Sequence, residues 1–127
     1  MTTTDIDTKI LETLKAVVSE RPNYAYAAPE HLKDETGSCF YVHQEHEGFA
    51  AEPGCGVGVL LHRLGVPLET LRAQEGVGAY TVVPRFFPGI SRKTQHILSY
   101  FQRYQDDGKP WRESLDMAIS TADREYL

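Results

Sequence analysis

The chain has 127 residues, a formal net charge of −5, 41% hydrophobic residues and 24% charged residues. Those values suit one globular domain with one core and exclude a disordered chain. No apolar run approaches the roughly 20 residues of a membrane-spanning helix, and the polar, acidic start Met1 to Asp7 lacks the form of a secretory signal, so the expected place is the cytoplasm.

The net negative charge argues against broad nucleic-acid binding, although a local basic patch is compatible with it. Two cysteines, Cys39 and Cys55, are too few for a disulfide framework, and in a reducing cytosol they are expected to stay as thiols. The sequence has no internal repeat and no low-complexity segment.

From the N-terminus, Ile6, Ile10, Leu14, Val17 and Val18 recur at helical spacing and predict a helix from about Asp5 to Glu20. Thr4 followed by Asp7 resembles a capping box at its start. Arg21-Pro22 ends it, because a residue before proline avoids the helical region. Asn23 to Pro29 reads as a short extended segment or a loop, and Glu30 to Ser38 as a turn. Cys39 to His43 is rich in aromatic and β-branched residues and predicts a strand. Gln44 to Gly54, with Gly48, Pro53 and three glutamates, reads as an exposed loop.

Gly54-Cys55-Gly56-Val57-Gly58 opens a second predicted helix to about Leu64, ended by Gly65. Pro67 starts a third to about Glu75. Ala79 to Phe87 is ambiguous: Tyr80, Val82 and Val83 favour a strand that Pro84 and Pro88 interrupt. Ser91 is a good N-cap for a helix to about Asp106, with Ile97, Leu98, Phe101 and Tyr104 on its apolar face. After the turn Asp107 to Pro110, a last helix runs to about Asp123 with Trp111, Leu115, Ala118, Ile119 and Ala122 inward. The expected fold is mainly α (α+β): one domain, a compact bundle of about five helices with one or two short strands. The two strands could pair as a small hairpin.

Four landmarks occur in order: Cys39-Phe-Tyr-Val-His43, Gly54-Cys-Gly-Val-Gly-Val-Leu-Leu-His-Arg-Leu-Gly-Val-Pro-Leu-Glu-Thr-Leu71, Glu75-Gly76 and Gln105-Asp-Asp-Gly-Lys-Pro-Trp111. Together they resemble a set of small uncharacterised proteins of actinobacteria and their phages, over roughly Cys39 to Ala118. The resemblance implies origin and size class. It carries no catalytic residue, and it points to phage or mobile-element biology, where small acidic proteins often act by binding a host protein.

Several residues suggest chemistry, each beside a plainer alternative. Cys55 falls where a helix begins, among glycines, and a helix N-terminus favours the thiolate. His43 at the strand end could serve as its base, making a Cys–His type enzyme; the alternative is a small buried packing residue. His62 cannot be that base, because it lies seven residues further along the same helix, roughly 10 Å away.

Cys39, His43, His46, Cys55 and His62 are metal-ligand types, but their spacing matches no common zinc motif, so no metal and no cofactor are expected. Glycines 54, 56 and 58 lack the Gly-Lys-Ser/Thr of a phosphate loop and read as close packing. Leu60 to Glu75 has the outline of a helix-turn-helix, with Arg72 as the one cation on the would-be reading helix; the alternative is an ordinary helical hairpin.

Arg85, Arg92 and Lys93 flank Phe86 and Phe87, a pattern that can grip single-stranded nucleic acid or an acidic partner, or can be core with charges beside it. The leading expectation is a non-enzymatic protein that binds a host protein. Its contact surface would be Gln44 to Pro53, with Glu45 and Glu47, plus Arg85 to Ile90, with Phe86 and Phe87. A homodimer is also expected.

Overall fold

A computed structural model describes residues 5–27, 40–43, 47–48 and 50–126. Among them are six helices: α1 (Asp5–Glu20), α2 (Gly56–Arg63), α3 (Leu68–Arg72), α4 (Ala79–Phe86), α5 (Arg92–Asp106) and α6 (Trp111–Glu125). A two-stranded antiparallel sheet joins β1 (Val42–His43) to β2 (Glu52–Pro53). The mainly helical bundle with a short sheet is thus the observed fold. None of the described helices is long and apolar enough to cross a membrane.

The helices form where apolar stripes can be buried. Ile10, Leu14, Val17 and Val18 of α1 lie in the core, as do Ile97, Leu98 and Phe101 of α5 and Trp111, Leu115, Ala118 and Ala122 of α6. The long pair α5–α6 is the largest packing unit, and α1 lies against α2 and α6. Ser91 caps α5 by accepting from the Thr94 N–H at 3.2 Å. Asp7 is buried in α1, and its carboxylate accepts from the Ser91 N–H at 2.9 Å. This residue therefore tethers the start of α5 to α1, while Thr4, its expected capping partner, lies outside the described residues.

Two expectations are corrected. The ambiguous segment Ala79 to Phe87, where Tyr80, Val82 and Val83 favour a strand, is a helix over Ala79–Phe86, which raises the helix count from about five to six. Val82 and Val83 are both buried, so adjacent apolar residues here face a core that closes around a helix. Pro84 removes the N–H that would have bonded the Tyr80 carbonyl; Gln95 Nε2 donates to that carbonyl instead, at 3.2 Å.

The second correction concerns the hairpin. The partner of β1 is Glu52–Pro53, inside the stretch read as exposed loop. The pairing pulls on into α2: the Gly54 N–H bonds the Tyr41 carbonyl at 2.8 Å and the Cys55 N–H bonds the Phe40 carbonyl at 2.9 Å.

Glu75, just after α3, holds this hairpin from the other side. Its carboxylate accepts the Tyr41 N–H at 2.7 Å and the Val42 N–H at 3.3 Å. The buried Tyr41 ring donates its hydroxyl proton to the Val77 carbonyl, and Gln102 Nε2 of α5 donates to the same hydroxyl at 3.2 Å. Backbone groups that a two-residue ladder cannot satisfy are taken up by side chains.

Candidate functional site

The α2 entrance carries the residues with the most suggestive chemistry, and it is tightly packed. Cys55 has 0% of its surface exposed. A Cβ at Gly56 would overlap the Phe101 ring, and one at Gly58 would overlap the Tyr41 carbonyl oxygen. Only glycine fits at these two positions. The Gly56 N–H donates to Gln105 Oε1 at 2.8 Å, and the Trp111 indole N–H donates to the same oxygen at 3.1 Å. One buried amide thus links α2, α5 and α6.

His43 is brought next door. Its ring lies over Gly54, where a Cβ would meet its Cδ2 and Nε2. The Tyr26 hydroxyl is 2.9 Å from His43 Nε2 and accepts the Phe40 N–H at 3.0 Å. The fold therefore brings His43 against Gly54, the residue before Cys55. It engages the imidazole with Tyr26, and it gives the thiol no surface that a substrate could approach.

The other candidates are placed as follows. His62 is exposed on α2, with Nδ1 3.1 Å from the Val66 carbonyl oxygen. Cys39, Glu45 and His46 lie outside the described residues. Among the described residues, no group of three or more His, Cys, Asp or Glu is placed to hold a metal ion. Arg72 is half-buried on α3, a helix of five residues, and its charge acts on Glu75. A helix of that length offers little to a DNA groove, and its buried Leu71 faces the core.

Glu47 is an exposed turn residue with φ of 48°. Arg85 is exposed and donates to Gln74 Oε1 at 2.5 Å. Phe86 and Phe87 are half-buried and pack against the core.

A different surface gathers accessible side chains. Tyr80 of α4 is 36% exposed, and its ring stacks on His96 of α5 with centroids 5.1 Å apart and planes 24° apart. Tyr100, one helical turn further along α5, lies 5.9 Å from the same imidazole, and Tyr126, after α6, lies 5.6 Å from it. The Tyr126 hydroxyl is 2.8 Å from His96 Nδ1.

Tyr100 donates its hydroxyl proton to Glu125, and this bond holds the phenol pKa above its usual value. Three tyrosines and a histidine from three elements thus form one ordered, half-exposed aromatic face. Sequence reasoning missed it. Its signal was the outward side of α5, where positions 92, 96, 100 and 103 recur at helical spacing opposite the apolar stripe.

One groove of about 260 Å³ lies between α1, α5 and α6, lined by Asp7, Lys15, Lys93, Asp123 and Tyr126 among others. Lys93 and Asp123 pair across it at 2.8 Å, and Asp7 is committed to Ser91. Asp7, Lys93 and Asp123 are thus engaged within the fold. A scan of protein-family models, a search of curated proteins and a search of solved structures each find no match to this chain.

Proposed function

We propose that the chain is a small phage or mobile-element type protein that acts in the cytoplasm by binding a host protein rather than by catalysis. The observation that supports this reading is the Tyr80–His96 stack bracketed by Tyr100 and Tyr126. Tyrosine is a preferred anchor at interface centres, because it offers a large contact area, a polar tip and few rotatable bonds. Here the rings are already ordered by stacking and by hydrogen bonds to Glu125 and His96, which lowers the entropy lost on docking.

The contact surface proposed from sequence shifts accordingly. The Arg85 to Phe87 segment ends α4, the helix that carries Tyr80, and its Phe86 and Phe87 pack against the core. Buried Cys55 and the five-residue α3 lend no support to the enzyme and DNA readings.

The test is capture from host lysate with the purified chain as bait, beside a Tyr80→Ala/His96→Ala variant that keeps its helical circular dichroism. A host protein retained by the wild type at several salt concentrations and lost by the variant is the expected result. Capture that never differs between the two sinks the proposed face.

A further inference from the structure

We infer that the outer face of α5 takes an acidic, extended segment of the partner; this rests on the binding reading above and gives the partner its chemistry. Arg92, His96, Tyr100 and Arg103 share the side of α5 opposite the buried Thr94, Ile97, Leu98, Phe101 and Gln105. Arg92 and Arg103 are both exposed, and among the described residues neither makes an ion pair or a hydrogen bond through its side chain. Three other cations have partners within the fold: Arg63 holds Glu20 at 2.6 Å, Lys93 holds Asp123 at 2.8 Å and Arg85 donates to Gln74.

The chain has 18 acidic and 13 basic residues, so two unpaired arginines on one helix face do not follow from a shortage of carboxylates. They lie eleven residues apart, about 16 Å along the helix axis. An extended strand covers that distance in about five residues. Guanidinium groups match carboxylates in a two-point fork, and the Tyr80, His96 and Tyr100 rings between them offer apolar faces for the intervening side chains. Glu125 stands at the margin and is occupied by the Tyr100 hydroxyl; Asp106, at the far end of α5, takes the Gln105 amide at 3.0 Å. A single-stranded nucleic acid could use the same aromatic and basic groups. A net charge of −5 repels a strand charged at every phosphate more than a peptide with a few carboxylates, which favours the peptide.

Fluorescence anisotropy on the full chain tests this with three labelled probes: a short Glu–Leu peptide, its Lys–Leu counterpart and a thymidine oligonucleotide, each at low and at physiological salt. The acidic peptide is expected to bind, to weaken with salt, and to lose about ten-fold or more in affinity to an Arg92→Glu/Arg103→Glu variant. That variant should melt like the wild type, since neither side chain holds another residue. Absence of acidic-peptide binding, or equal binding to the variant, overturns the inference. So does an oligonucleotide that binds more tightly than the peptide. Lysate capture separates the two claims. A protein caught by the wild type and by the Arg92→Glu/Arg103→Glu variant, but lost by Tyr80→Ala/His96→Ala, keeps the docking face and overturns the acidic partner.

Discussion

The entrance of α2 and the outer face of α5 treat their polar groups in opposite ways. At the entrance, the N–H groups of Gly54, Cys55 and Gly56 each meet an acceptor, and no Cβ fits at Gly56 or Gly58. On α5, two guanidinium groups point outward unpaired beside an ordered stack of rings. The first region has the residue types associated with chemistry, a cysteine at a helix start with a histidine nearby. The second has residues that are ordinary one by one. What separates them is burial together with an account of partners: a group already satisfied inside the fold has nothing left to offer a ligand.

The largest expected effect bears on the buried side of that comparison. In a Cys39→Ser background, Cys55 should react with iodoacetamide only when the fold opens, at least roughly several thousand-fold more slowly in buffer than in denaturant. The rate should track global stability as urea is added below the transition. Fast alkylation of the native protein would show that the α2 entrance opens by itself, and the contrast with α5 would collapse.

Next in size is Gln105→Leu. The substitution keeps the volume and removes the oxygen that accepts both the Gly56 N–H and the Trp111 indole N–H. Two buried donors left without a partner cost about 1–3 kcal/mol each. Urea unfolding should register a loss of about 2–5 kcal/mol, with little change in the slope of the transition. A loss under about 0.5 kcal/mol would mean that water or another side chain satisfies these donors, and that the entrance is looser than its geometry implies.

Much of the architecture was legible from spacing. The boundaries of α1, α2 and α5 follow from apolar periodicity, from Pro22 and Gly65, and from Ser91 as a cap. Ala79 to Phe87 stays ambiguous in sequence because β-branched residues and two prolines carry no information about which partner closes the core; Gln95 on another helix repairs the gap that Pro84 leaves. The hairpin partner of β1 was hidden for a similar reason. Glu52–Pro53 has no strand propensity, and its pairing is imposed by the neighbouring bonds of Gly54 and Cys55.

The aromatic face was the least legible, since its rings come from α4, α5 and the residue after α6. The polar side of α5 alone was readable, and a helical reading that asked only which residues face inward passed over it.

The smallest effect is the most specific, and it concerns Glu75, which clamps β1 beneath the glycines of α2. Burial pushes its carboxyl pKa up, against the opposing influence of the Tyr41 and Val42 N–H bonds and the Arg72 charge. The folded protein therefore holds this proton at pH values where the unfolded chain has released it. Stability from Glu75 is full below its ordinary carboxyl value, near 4.5, and declines as pH rises through the higher folded value.

Glu75→Gln keeps one acceptor for Tyr41 and removes the titration. The stability of the wild type minus that of the variant should fall as pH rises from the acid side toward neutrality, and other carboxylates cancel in the difference. Should the difference grow with pH, the ionised clamp gains more from its two backbone donors than burial takes away. The region beneath α2 would then be an anion site held open by N–H groups, closer in kind to the unpaired charges of α5 than to a packed core.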